Sequence, residues 1–193
     1  MGVNISELRG QTVMLRTMQP TDLDALYAIS TEEIWQYTPM RVKHKEDMKC
    51  WMEYVLNEQK KGMQHPFVIL DTHNNIVGST SLLDIQPAHR KIEIGWTWLA
   101  RDVWKTRINS ECKYVLLSYC FELWEAARVQ LKTDTRNKRS QRAIERIGAK
   151  QEGTLRQDRI LCDGHIRDTV YYSILREEWP SIKRHLKMSL GLK

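Results

Sequence analysis

The stretch richest in chemical consequence is residues 104–148, WKTRINSECKYVLLSYCFELWEAARVQLKTDTRNKRSQRAIERIG. A polar loop leads into an amphipathic helix, an apolar strand follows, and a second polar loop leads into another amphipathic helix. That order places two helix N-termini near the same end of a sheet. Free N–H groups and the helix dipole make such ends suited to anions, so a phosphorylated cofactor could sit there. Asn109 or Ser110 is placed to cap the first helix and Asn137 the second. Gly148 ends the second where positive φ costs least.

Charge gathers beside this region. Residues 136–159 hold eight cations (Arg136, Lys138, Arg139, Arg142, Arg146, Lys150, Arg156, Arg159) against Glu145, Glu152 and Asp158, a local +5 in a chain of net charge +6. Such a patch attracts a polyanion, either nucleic acid or a phosphorylated cofactor. It also fits a plain solvated face.

Other chemistries find little support. Cys50, Cys112, Cys120 and Cys162 form no CxxC, and the six histidines (His44, His65, His73, His89, His165, His185) have no metal-ligand spacing, so no metal is expected. Cys112 and Cys120 fall on the inward stripe of one predicted helix with no histidine in sequence reach, which disfavours a thiol nucleophile. No GxGxxG argues for a dinucleotide fold.

The positioning elements follow from hydrophobic period. Length of 193 residues, 41% hydrophobic and 28% charged, suits one globular domain over 1–193. No apolar run reaches about 18 residues, so no membrane span is expected. The first ten residues lack a signal-peptide pattern, and a cytoplasmic location is the default. Residues 13–18 predict an edge strand. Thr21 is expected to cap a short helix carrying Asp24, Leu23, Leu26, Tyr27 and Ile29, and residues 30–44 a loop or broken helix. Met48, Trp51, Met52, Val55 and Leu56 mark a second helix. Strands are predicted at 67–70, 76–83 and 91–99. In the last, Ile92, Ile94, Trp96 and Trp98 should share one face, with Glu93, Gly95, Thr97 and Leu99 on the other. The next helix shows a stripe of Cys112, Val115, Leu116, Tyr119, Cys120 and Leu123. A strand at 127–133 and a helix burying Ala143, Ile144 and Ile147 come next. A hairpin of 150–161 and 165–175 turns at Asp163-Gly164. A short basic tail, 181–193, carries Lys183, Arg184, Lys187 and Lys193. The fold class is α+β (mixed α/β), in the order βααβββαβαββ.

In residues 104–148, in the motif Asn137-x-x-Ser140-x-x-x-Ile144-x-x-x-Gly148-Ala149, and again in EGTLRQDRILCDGHIRDTVYYSILREEWP, the chain resembles the GCN5-related N-acetyltransferases (GNAT). It is most similar to the branch of ribosomal-protein N-terminal (alanine/serine) acetyltransferases and its uncharacterised relatives, over about residues 11–180. The resemblance implies the acyl-CoA N-acyltransferase fold: a strongly twisted, mostly antiparallel sheet with parallel fourth and fifth strands, flanked by helices. Those strands are 91–99 and 127–133 here, opening as a V around acetyl-CoA (coenzyme A).

Carried over residue by residue, the pantetheine arm would lie along the backbone of Trp98, Leu99 and Ala100. The pyrophosphate loop, usually Q/R-x-x-G-x-G/A, falls on Trp104, Lys105, Thr106, Arg107, Ile108 and Asn109, with Ser110 beginning the helix. Trp104, Arg107 and Asn109 replace the usual Gln/Arg and glycines. Asn137 would bond the arm, and Arg139 and Arg142 would take the 3′-phosphate. Glu93 would accept the amine proton, directly or through water, and otherwise reads as a structural carboxylate paired with Arg90, Lys91 or a distant arginine. Ser140 would protonate the leaving thiolate, since Ile144 stands where other branches have tyrosine. Trp35, Tyr37 and Trp96 would wall the acceptor pocket.

The implied activity is transfer of acetyl from acetyl-CoA to a primary amine, a protein N-terminus or a small molecule, in a direct ternary complex. Relatives often dimerise, so a homodimer is allowed. The alternatives are a non-catalytic acyl-CoA-binding protein and a basic nucleic-acid-binding protein, the latter weakened by the lack of RNP-like aromatics or a helix-turn-helix.

Overall fold

The computed structural model describes residue 3 and residues 5–192. Lys193, expected in the basic tail, and the ends of the expected 1–193 domain lie outside the described residues. The strands are β1 Glu7–Arg9, β2 Met14–Thr17, β3 Gln64–Leu70, β4 Ile76–Gln86, β5 Lys91–Leu99, β6 Arg128–Asp134, β7 Lys150–Ile160 and β8 Ile166–Leu175. The helices are α1 Leu23–Ala28, α2 Glu32–Trp35, α3 Lys45–Lys60, α4 Ile108–Ser118, α5 Lys138–Arg146 and α6 Trp179–Leu190. The strands form one sheet ordered β1-β2-β3-β4-β5-β6-β8-β7, antiparallel except for the parallel β5–β6 pair.

Two apolar layers sandwich the sheet. On one face Met48, Trp51, Met52 and Val55 of α3 recur every three or four residues and pack with Trp35, Leu26, Val68 and Trp98. Complete burial of one such side chain stabilises the fold by about 1.5–3 kcal/mol. On the other face Cys112, Leu116 and Cys120 of α4, Ile144 of α5 and Leu186 of α6 meet Ile92, Ile94, Val129 and Leu131. Glu111, fully buried in the first turn of α4, accepts hydrogen bonds from the Thr12 N–H at 2.8 Å and from the Thr12 hydroxyl. That pins the helix start against the turn between β1 and β2.

Several local expectations are corrected. β2 is not an edge strand, because β1 pairs outside it; three residues are too short to show a period. Pro20 starts a 3-10 turn, and the Gln19 N–H donates to Asp22 Oδ2 (2.8 Å), so Thr21 is no cap. Helix α4 begins at Ile108, whose N–H reaches Thr106 Oγ1 (3.4 Å), so Asn109 and Ser110 lie inside the first turn. A π-helical turn, Tyr119–Leu123, follows α4 and leaves Leu123 71% exposed. The basic tail is mostly the helix α6, with Trp179, Leu186 and Leu190 buried. Gly148, at φ +90, ends the helical stretch after α5 as expected.

The correction with functional weight is in β5. Trp96 has φ +48, and the β4–β5 register jumps from Ser81↔Gly95 to Ser79↔Trp98. This β-bulge inserts one residue and breaks the alternation. Ile92, Ile94 and Leu99 therefore join the α4 layer, while Trp96 and Trp98 join the α3 layer.

Candidate functional site

Strand β5 pairs with β6 at three positions only: Lys91↔Arg128, Ile92↔Val129 and Glu93↔Gln130. Beyond them β5 stays with β4 and β6 stays with β8, so residues 94–99 and 131–134 have no partners in each other. The bulge lies where the strands part, and extra twist there turns β5 away. Helix α4 follows β5 and α5 follows β6, so both N-termini come after the diverging ends. Gly95, Trp96 and Thr97 are partly open there, between buried neighbours.

Glu93 is 2% exposed and engaged. Its Oε2 accepts from Lys132 Nζ (2.9 Å) and Gln130 Nε2 (3.0 Å). The Lys132 ammonium also stands 5.9 Å from the centre of the Tyr171 ring. Sequence reasoning missed Gln130 and Lys132, although the signal existed: alternation on β6 sets them opposite Val129 and Leu131, on the Glu93 face.

Ser140 is half-buried in the first turn of α5. Its N–H donates to Asn137 Oδ1 (3.0 Å), so Asn137 caps the helix as expected. The Ser140 hydroxyl has no hydrogen-bond partner among the described residues.

Of the backbone assigned to the cofactor arm, the Ala100 N–H donates to Val77 O (2.8 Å). Leu99 O accepts from the Trp104 indole N–H (2.8 Å). Trp98 precedes them with its side chain in the tryptophan cluster. In the loop, Lys105 takes φ +65 and Thr106 Oγ1 donates to Val103 O (2.7 Å). The Arg107 guanidinium is committed away from the loop, to Leu190 O (2.6 Å) and Glu111 (3.4 Å). Arg139 stacks on the Trp104 ring at 3.7 Å and pairs with Glu33 at 3.6 Å, spanning from α5 to the loop after β5. Arg142 is exposed.

The expected acceptor residues separate. Trp35 is 1% exposed, packed edge-on against Trp51 at 5.5 Å, and supports the site from within the core. Tyr37 and Trp96 are half-buried. Arg167 Nη1 donates to Tyr37 O (3.3 Å), and Arg136 lies 5.5 Å from the Tyr37 ring centre, which holds that loop against the sheet.

Burial pushes the Cys112 thiol up to about 11 and raises Cys120 too, so neither is a thiolate near neutrality. Among the described residues no cluster of His, Cys, Asp and Glu could hold a metal ion. No helix among them is long and apolar enough to cross a membrane.

A family model described as "Acetyltransferase (GNAT) domain" matches residues 12–150. The chain belongs to the GNAT family. GNAT proteins are N-acetyltransferases that use acyl-CoA. This GNAT chain is 36% identical over 110 residues to the Bacillus subtilis (strain 168) protein named "Putative ribosomal N-acetyltransferase YdaF", spanning 56% of this chain and 58% of that one. The match thus spans less than two thirds of that relative. It is 25% identical over 173 residues to the "Uncharacterized N-acetyltransferase YoaA" of the same organism, covering 88% of this chain and 96% of that one. The crystal structure of a "putative acetyltransferase" from T. thermophilus superposes with a TM-score of 0.91 at 35% identity, covering 98% of this chain and 100% of that one. Mycobacterium smegmatis RimJ, solved in complex with CoA-disulfide, shares the fold at a TM-score of 0.78 and 23% identity, over 96% of this chain and 93% of that one.

Proposed function

We propose that this protein moves the acetyl group of acetyl-CoA onto a primary amine, a protein N-terminus or a small molecule, with donor and acceptor bound together. The observation that carries the reading is the loss of β5–β6 pairing after Glu93 and Gln130. The residues present suit an acyl-CoA: strand backbone left unpaired on the side facing β6, a helix N-terminus ahead of it, and exposed cations on α5. Bound acetyl-CoA supplies the acyl group in activated form, as a thioester.

The chain's own groups supply the rest. Backbone of Trp98, Leu99 and Ala100 not already engaged aligns the arm. The loop from Trp104, with Lys105, Thr106, Ile108, Asn109 and Ser110, presents its N–H groups to the pyrophosphate. Arg107 acts indirectly, bracing the loop against α6. Arg139 and Arg142 are the 3′-phosphate cations, Arg139 by yielding its surface pair with Glu33. Asn137 fixes the start of α5 and so the position of Ser140. Glu93, where the strands part, receives the amine proton through water, with Lys132 and Gln130 orienting its carboxylate. Ser140 Oγ holds a proton available to the leaving thiolate. Trp96 and Tyr37 face the acceptor. YdaF is named as a ribosomal N-acetyltransferase, which favours a protein N-terminus among acceptors.

A thiol-release assay with acetyl-CoA against peptides, amino acids, polyamines and aminoglycosides tests this. The expected result is thiol release matched mole for mole by acetylation of one amine class. Tight CoA binding with no release for any amine would replace this reading with a non-catalytic acyl-CoA-binding protein.

A further inference from the structure

Lys113 is the charged group that the site described above leaves unexplained. It lies on α4, facing the sheet, and is 6% exposed. Its ammonium makes one hydrogen bond among the described residues, donating to Thr97 Oγ1 at 2.5 Å, and no ion pair. The neighbouring carboxylate, Glu111, is taken by Thr12 and Arg107. Thr97 cannot offer more, since its oxygen is also 2.7 Å from Thr80 Oγ1. Among the described residues two ammonium N–H donors thus lack an acceptor in a buried setting, a costly arrangement unless something else completes it. Burial depresses the ammonium accordingly, to about 8.

The position says what completes it. Thr97 directly follows Trp96, the bulged residue where β5 has left β6. Lys113 therefore stands beneath the one stretch of β5 whose cleft-side backbone has no strand partner. It also sits five residues into α4, about 7.5 Å along the axis from the helix start. That separates it from a diphosphate held at the N-terminus and sets it under the amide-bearing part of an acyl-CoA.

We propose that Lys113 belongs to the acyl-CoA site, donating from the cleft floor to a carbonyl oxygen of the cofactor's arm. The proposal rests on the reading that this cleft holds acyl-CoA. A leucine or methionine at this point would pack α4 equally well but would leave the arm with one donor fewer.

Calorimetric titration of the full chain with coenzyme A, and separately with adenosine 3′,5′-bisphosphate, tests it. The second probe has phosphates but no arm. Lys113→Met should weaken coenzyme A by roughly tenfold to a hundredfold, the worth of a hydrogen bond to a charged group. Binding of the bisphosphate should stay at the wild-type value, and Lys113→Arg should recover part of the loss. Should Lys113→Met not fold, Lys113→Gln, which keeps N–H donors without the charge, serves in the same comparison with a smaller loss expected. Unchanged coenzyme A affinity in a folded variant overturns the proposal, as does an equal loss for both probes, which would mean a disturbed helix start. Wild-type protein that binds neither probe removes the cofactor reading and this inference together. Failure of every amine in the thiol-release assay, with Lys113-dependent binding intact, removes only the enzymatic reading.

Discussion

The Ser140 N–H is held by Asn137, while its hydroxyl, the proposed proton donor, has no partner among the described residues. Ser140→Ala should therefore keep the fold and the affinity for coenzyme A while kcat falls by about a hundredfold, the low end for lost acid catalysis. An unchanged kcat with a competent amine would remove Ser140 from the chemistry. Glu152 gives a different kind of prediction. Its hydrogen bonds from Arg128, and further from Ser173, hold its carboxyl down at about 2. A depressed carboxylate stabilises the fold fully above its ordinary value near 4.3, and that contribution fades as pH falls through about 2. The Tm gap between wild type and Glu152→Gln should be steady above pH 5, narrow as pH falls below about 4, and close near pH 2. With the side chain 41% exposed, solvent screening keeps the contribution at about 1 kcal/mol or less.

At the scale of elements, the seam between β4 and β5 carries the cleft. A Cβ on Gly78 would collide with the Trp98 carbonyl oxygen, and backbone there cannot step aside. Gly78→Ala should cost about 1–3 kcal/mol, read as a fall in the urea midpoint. A Cβ on Gly95 would meet the tip of Leu83 at 2.6 Å and Glu93 Oε1 at 3.1 Å, side-chain atoms that can shift, so Gly95→Ala should be milder. The extent of β5 was legible in the sequence because Pro87 separates it from β4 and its Ile- and Trp-rich run ends at Leu99, and α3 because its stripe repeats cleanly. The bulge was not. A one-residue insertion leaves no mark on composition, and the side chain that adopts φ +48 is a tryptophan rather than glycine. The same slip assigned Trp96 and Trp98 to the face of Ile92. Lys113 was hidden for a related reason: lysine on an inward stripe reads as an imperfection in the pattern until its acceptor, from a strand sixteen residues earlier, is in view.

Across the whole molecule, four of the eight cations in the basic window at 136–159 are answered by carboxylates, two of them distant in sequence. Arg136 pairs with Asp134, Arg139 with Glu33, Lys150 with Glu178 and Arg159 with Asp158. A cationic surface built for nucleic acid would leave those charges free. The protein should elute from heparin near physiological salt, and retention well above it would favour the polyanion reading. Four of the seven tryptophans, by contrast, have rings linked by mutual contacts. Trp35, Trp51, Trp96 and Trp98 lie with neighbouring ring centres 5.5–6.3 Å apart, and Trp96 alone of them is partly open. Of these rings, Trp96 is therefore the one whose surroundings a ligand bound at the proposed site would change. Native fluorescence should thus dim or shift colour as coenzyme A is added, and Trp96→Phe should silence most of that signal. Such a change would give the molecule its own optical gauge of occupancy, with no dye attached.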